Sequence, residues 1–475
     1  MKFKHLILAC LLGAVASGCS KTVPASIGLV SSSLTVGSEG GSAVISFLTN
    51  RDWTVSSDQP WTAVSPSAGP ASDDYQSVTV TVAENPEQAP REAQLTVRSG
   101  ELSRTVSVSQ AGAQRFTVRD FRDAKADGTT WYTLTGEIIS QPEQTYGNFF
   151  LADDTGYIFV YGLCAAQAAA NDKSFATLGL TPGDIVTIKT LRSEYSGVAQ
   201  AGGTTPAYFV SAVPGEYTLG RKVPATQAGW MELPATSAAD GRDLLIHDFP
   251  DGGRSYSAYW DYEHLVAAWV AYPLHAGNIG SGSRMAESHF PMDPLLSPEQ
   301  QPYLSKSYQP SGSYNRGHQI PSADRLDWRV NLETFFSTNM TPQDGDLNSG
   351  AWETLESKVR AWARHADTDT LYVVSGCSVA GSTASVEDNA RKKVTVPTGY
   401  YKALLRLGKN GDYSGAAFWL DNRPDRSGSI RREMSMSIDA LEEKLGMDFF
   451  VNLPGDVQRR VEAQDPAEEA WWWNN

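Results

Sequence analysis

Tyr314-Asn315-Arg316-Gly317-His318-Gln319-Ile320-Pro321-Ser322-Ala323-Asp324-Arg325 opens the stretch around which this chain is organised. It continues through Thr338-Asn339-Met340-Thr341-Pro342-Gln343 and Asp346-Leu347-Asn348, and closes with Gly350-Ala351-Trp352-Glu353-Thr354-Leu355-Glu356. A hydrophobic core does not need this order of polar residues; a site that binds a metal and a phosphate does. Arg316 and His318 flank Gly317 in a turn-like segment after Ser311-Gly312-Ser313. Arginine offers a planar fork of donors that suits a phosphate. Histidine can take a proton from water near neutral pH.

Downstream, Asn348 follows Asp344-Gly345-Asp346, which has helix N-cap character. From Asn348 the pattern predicts a helix, with Trp352, Leu355 and Val359 recurring at spacings of three and four. Asn348, Glu356 and Arg360 stand multiples of four apart and share one side of it. An amide oxygen and a carboxylate opposite a loop histidine suit a hard cation such as Mg2+, with substrate phosphate completing the shell. Plainer readings exist. Asn348 alone is a cap residue, and Glu356 with Arg360 is a surface ion pair one helical turn apart. Of the seven histidines, six fall between 247 and 365, so location alone singles out none. Only His318 sits in an Arg-Gly-His context.

The segment resembles the active site of the DNA/RNA non-specific endonucleases, the ββα-metal family. Their signature is Asp-Arg-Gly-His followed by an Asn-containing helix near a Pro-Gln, and here Asn315-Arg316-Gly317-His318 stands in that place. Asn339, Gln343, Asn348 and Glu356 follow at the family's spacing. The resemblance implies that His318 is the general base, Asn348 the Mg2+ ligand, and Glu356 a residue orienting water at the metal. It gives Arg316 and Arg360 to the phosphate, counts Asn339 among the catalytic set, and matches Arg284 more loosely to an upstream phosphate-binding arginine. Mn2+ is the alternative metal, and the products would carry 5′-phosphates. Asn315 departs from the family's Asp: an amide can hold the turn but brings no charge.

The formal charge is 39 − 54 = −15. That argues against broad charge-driven nucleic-acid binding and leaves room for an enzyme that grips a few phosphates locally. Residues 1–19 read as a leader: Lys2 and Lys4, a short apolar run from Leu6 to Val15, then Ala16-Ser17-Gly18-Cys19, which resembles a lipobox with lipid on Cys19. The expected location is the bacterial outer membrane, anchored by lipid on its periplasmic or outer face. Cys164 and Cys377 fall in different expected domains, too few for a metal cluster.

Residues 20–26 read as a tether. Residues 27–112, with runs such as Ser77-Val78-Thr79-Val80-Thr81-Val82, predict a β-sandwich. With Trp53, Pro60-Trp61 and the closing Val106-Ser107-Val108-Ser109-Gln110, it resembles the immunoglobulin-like BACON module. Its role is spacing or docking, with a surface glycan as the candidate ligand and its tryptophans expected in the core. Residues 113–222 resemble an OB-fold barrel, with Tyr157, Phe159 and Tyr161 alternating on one face. Residues 223–462 form the expected α+β nuclease with a mixed sheet, and 463–475 a loose tail. Lys402 reads as a solvated strand-end lysine. The function expected is Mg2+-dependent endonucleolytic hydrolysis of DNA and RNA with little sequence preference. The alternative is a non-catalytic surface lipoprotein that binds nucleic acid or glycan through a decayed nuclease core.

Overall fold

The computed structural model describes residues 24–474 except 88, 225–228 and 426–427, so the leader, Cys19 and the start of the tether lie outside the described residues. The chain divides into two compact units, Met1–Gln114 and Arg115–Asn475.

In the first unit, alternating strands build a four-stranded and a five-stranded sheet. Phe47, Val78 and Val80 from one and Trp53, Leu95, Val97 and Val108 from the other share a single core. Trp53 meets Phe47 edge-on at 5.0 Å between ring centroids, and Trp61 lies half-buried under the Arg91 guanidinium at 4.3 Å. Trp53 is core, as expected, and neither ring forms an open platform.

In the second unit, after a short strand Arg115–Phe116 and a helix Val118–Asp123, come β1 (Trp131–Ile138), β2 (Phe149–Asp153), β3 (Gly156–Cys164), β4 (Ile185–Tyr195) and β5 (Val198–Val213). They pair in the order β1-β2-β3-β5-β4, with β3 parallel to β5, and β4 returns to β1 to close a barrel. The two-residue period sorts the side chains. Phe149, Leu151, Ile158 and Val160 fill the barrel, whereas Phe150, Tyr157 and Phe159 face outward into the core of the sheet that follows.

That sheet has eight strands: β6 (Gly220–Pro224), β7 (Asp243–Asp248), β8 (Arg254–Asp261), β9 (Val266–Leu274), β12 (Thr368–Ser378), β13 (Gly399–Gly408), β14 (Tyr413–Asp421) and β15 (Ser435–Met436). The expected mixed sheet is not found, because every neighbouring pair is antiparallel. No crossover helix turns a strand parallel: the one long excursion, residues 275–367, leaves β9 and returns beside it as β12.

The excursion carries the hairpin β10 (Asn315–His318) and β11 (Met340–Gln343), then α1 (Glu353–Arg364). Leu355, Val359 and Trp362 of α1 pack with Tyr272, Val373, Tyr400 and Leu404 on one face of the sheet. Tyr259, Trp269, Tyr401 and Ala403 form the other face, under α2 (Ile438–Leu445) and α3 (Gly455–Glu462). The expected loose tail is packed: Trp472 is buried, edge-on to Trp362 at 5.0 Å, and the Trp362 indole N–H donates to its carbonyl at 3.0 Å.

Candidate active site

Arg316-Gly317-His318 lies on a strand rather than in a turn. In the β10–β11 register, Asn315 faces Gln343, Gly317 faces Thr341 and His318 faces Met340. Gly317 is required by close approach, since a Cβ there would overlap the buried Gln343 side chain. After β11, the Asp344 carboxylate caps the next turn, accepting from the backbone N–H of Asp346 at 2.9 Å and of Leu347 at 3.2 Å. The chain then takes a wide turn over Asn348–Trp352, broken at Gly350, before α1 begins. Asn348 and Glu356 therefore do not share one uninterrupted helix, as the spacing had predicted. Wide turns of this kind often mark functional positions.

His318 is half-buried between phenylalanines, edge-on to Phe335 at 4.8 Å and to Phe290 at 6.2 Å. Burial first, then the charges of Arg284 and Arg316, hold its pKa well below the usual imidazole value. It is neutral at neutral pH. Its Nε2 is sealed inside with no hydrogen-bond partner among the described residues. Nδ1 is left as the nitrogen on the open side.

Arg284, the loosest expectation from sequence, reaches the site. Its Nη1 donates to Ser322 Oγ at 2.8 Å, its guanidinium stacks 4.7 Å from the centre of Phe335, and its charge acts on both His318 and Glu356. The Glu356 carboxylate makes no hydrogen bond among the described residues, and burial raises its pKa against the opposing charge of Lys402. Asn348 is half-buried, and its side-chain amide likewise has no partner among the described residues.

Three residues take other parts than the sequence suggested. Arg316 Nη1 donates to the carbonyls of Ser288 and Leu304, both at 2.9 Å, with the guanidinium 3.5 Å from the centre of Phe290. It is clamped beneath His318, which limits any grip on phosphate. Asn339 is fully buried, donating to the carbonyls of Ile320 at 2.9 Å and Thr334 at 2.6 Å and accepting from the Ile320 N–H at 2.9 Å. Its side chain holds the segment after His318 in place and is not available to substrate. Arg360 pairs with the buried Asp324 at 3.1 Å rather than with Glu356, and Asp324 also accepts from the Tyr272 hydroxyl at 2.8 Å.

Lys402, expected as a solvated strand-end residue, is buried in mid-strand. Its Nζ donates to Ser375 Oγ at 2.9 Å and lies 4.4 Å from the centre of Trp352. Asp324 stands in the opening motif, and its place between Ser322 and Arg325 is the sequence signal that marks it.

Another carboxylate cluster, Asp439, Glu442 and Glu462, brings oxygens within 4.8 Å of one another. It belongs to α2 and α3 on the opposite face of the sheet, away from His318.

Comparison with known proteins gives the same outline. A family model described as DNA/RNA non-specific endonuclease matches residues 241–456, and the BACON family model, an N-terminal binding domain, matches residues 51–111. A nuclease of Nostoc sp. is 30% identical over 220 residues, covering 44% of this chain and 76% of that protein. A nuclease of Serratia marcescens is 28% identical over 203 residues, covering 42% and 73%. Among solved structures, a chain of the EndoG/EndoGI complex aligns with 21% identity and a TM-score of 0.37, covering 44% of this chain and 87% of that one. The second unit is thus a hydrolase of a metal-dependent class, built on an antiparallel sheet with its polar machinery in one long excursion. The chain belongs to the DNA/RNA non-specific endonuclease family.

Proposed function

We propose that this chain hydrolyses phosphodiester bonds of DNA and RNA with little sequence preference, using Mg2+ or Mn2+, from a lipid anchor on Cys19. The observation that carries the chemistry is a neutral His318 with Nδ1 open, beside an Arg284 that also acts on the unpartnered Glu356. The residues fit a hard cation: the Asn348 amide and the Glu356 carboxylate are oxygen donors with no partner among the described residues. Asn348 would hold the ion and Glu356 would orient water beside it. When bound, the metal supplies positive charge against the scissile phosphate.

His318 accepts the proton of the attacking water at Nδ1. Its burial and the two nearby arginines keep it unprotonated and ready to do so. Arg284 is the arginine best placed for the phosphate; Arg360, tied to Asp324, fixes the second half of α1 relative to the motif. Hairpin and following helix support the ββα reading of the site, and the barrel's closed strand order supports the OB-like reading of residues 113–222. Ala16-Ser17-Gly18-Cys19 supports a lipid anchor on the bacterial outer membrane. A Cys19→Ala variant should then leave the membrane fraction.

The test is leaderless protein incubated with supercoiled plasmid and with RNA, in Mg2+ and in EDTA, beside His318→Ala. Both substrates should be cut only with metal. The variant should lose about a thousandfold in rate with its circular dichroism unchanged. Cutting by His318→Ala at the wild-type rate would remove His318 as the base. No cutting by folded wild type would favour the binding lipoprotein.

A further inference from the structure

Outside the catalytic residues, one aromatic arrangement in the second unit is unexplained by folding alone. His289, in the excursion, lies flat on Phe159 of barrel strand β3, with ring centroids 4.2 Å apart and planes 15° from parallel. Tyr161 and Tyr195 flank the same imidazole at 6.3 Å and 5.1 Å. His289 and Phe159 are buried, yet Tyr161 is 45% and Tyr195 44% exposed. Tyr161 also lines a concavity of about 380 Å³ with Tyr146, which is itself 38% exposed.

The backbone joins the stack to the ring that packs on His318. His289 turns toward the barrel, and the next residue, Phe290, turns edge-on to His318 and lies under Arg316. Positive charge borders this path. Arg316 and Lys306 both act on His289, and Lys173 Nζ lies 5.6 Å from the centre of Tyr146. Of the acids nearby, Glu194 pairs with Arg192 at 2.6 Å, whereas Asp172, which lines the same concavity, accepts from the Ser174 N–H at 2.8 Å and keeps its negative charge.

Exposed aromatic faces beside cations are the recognition chemistry of unstacked bases on a phosphate backbone. We propose that Tyr161 and Tyr195 form a stacking platform for a single-stranded stretch of the polynucleotide being cut, with Tyr146 and its concavity receiving a further base. The proposal rests on the nuclease reading for its ligand. It deepens that reading by extending the substrate track from His318 onto the barrel. Duplex DNA, whose bases are stacked on each other, gains nothing from the platform until a strand is released.

The test uses the full mature chain in EDTA, where no cutting occurs, with a fluorescein-labelled 12-nucleotide single strand and the matching duplex, read by anisotropy. Tyr161→Ala/Tyr195→Ala should raise Kd for the single strand about tenfold. Duplex affinity should change less than twofold. Tyr161→Phe/Tyr195→Phe, which keeps the rings, should restore binding. Hydrolysis of bis(4-nitrophenyl) phosphate with Mg2+, which has no bases to stack, should be unchanged in the alanine variant. Equal single-strand affinity in wild type and the alanine variant would overturn the platform. So would a tyrosine-dependent affinity for a soluble polysaccharide with none for the oligonucleotide. Tyrosine-dependent strand binding by a protein that cuts neither plasmid nor RNA would sustain the platform and remove the nuclease reading alone.

Discussion

His318 owes its state to position rather than to type. Burial and two arginines push its pKa far below that of a free imidazole. As the proposed general base, His318 acts when unprotonated, so the acid limb of kcat/KM should lie below pH 6.5 and the rate should persist as pH falls through that value. Arg284→Gln removes one of the two cations, so the His318 pKa should rise and the acid limb should move to higher pH. The rate measured near pH 6, relative to pH 8, should then drop severalfold more than in wild type. A pH profile that does not move would show that Arg284's charge does not act on the base. Much of this residue set was legible, because Arg-Gly-His and the later Asn and Glu are polar residues in an order that packing does not require. What each arginine holds was not. Arg316 spends its fork on two backbone carbonyls brought near only by folding, and Arg360 finds a carboxylate 36 positions earlier in the chain. Lys402 alternates along its strand like any solvated lysine, and only the sheet's two covered faces bury it.

Elements turn those residues into a site. The β10–β11 hairpin places His318 because Gly317 lets the Gln343 side chain lie against the backbone. Gly317→Ala should force the strands apart, at a cost of about 1–3 kcal/mol in stability. Activity should fall at least tenfold, more than partial unfolding accounts for. Urea melts beside plasmid cutting would separate the two, and an unaltered rate would show that strand contact does not set the histidine. The sequence announced this glycine by its place between Arg316 and His318. It did not announce the kink at Gly350, since helical spacing runs on through residues 348–360 regardless.

On the other face, α2 and α3 bring Glu442 and Glu462 together with Asp439, and burial first, then like charge, raises them to about 7 and about 8. Between the ordinary carboxyl range and those values the folded state binds more protons than the unfolded one. Stability is therefore greatest at the acid end of that window and falls as pH rises through it. Thermal melts should show the midpoint dropping between about pH 5.5 and 8.5, and Glu462→Gln should flatten the slope. An equal slope in both proteins would mean that the cluster is solvated in solution.

At the scale of the whole molecule, the net charge is −15, and of the described cations around His318 and Glu356 only Arg284 is not tied to a backbone carbonyl, a carboxylate or the buried sheet. With few phosphates held, affinity should weaken with salt by a shallow slope. The barrel is the larger architectural question. Sequence composition set it apart as a module of its own, because its strands and turns read as complete. Its outward residues tell otherwise: Phe150, Tyr157 and Phe159 share the core that holds Trp260, Phe335 and Met340. Tyr157 packs 6.0 Å from Trp328, Arg329 pairs with Glu137 at 2.8 Å, and the Tyr217 hydroxyl donates to the buried Glu333 at 3.2 Å. Cutting the chain at 223 would expose that wall and leave Glu333 without its donor. Each large side chain uncovered costs about 1.5–3 kcal/mol, a substantial share of a domain's whole stability. A 223–475 fragment should therefore aggregate or melt far below the 115–475 fragment, whereas removing residues 24–114 should leave the melting midpoint and the rate of plasmid cutting nearly unchanged. The three proteins compared by calorimetry and plasmid assay decide it. If 223–475 folds and cuts like the longer fragment, the barrel is an independent module, and any effect of its tyrosines on catalysis must act through binding alone.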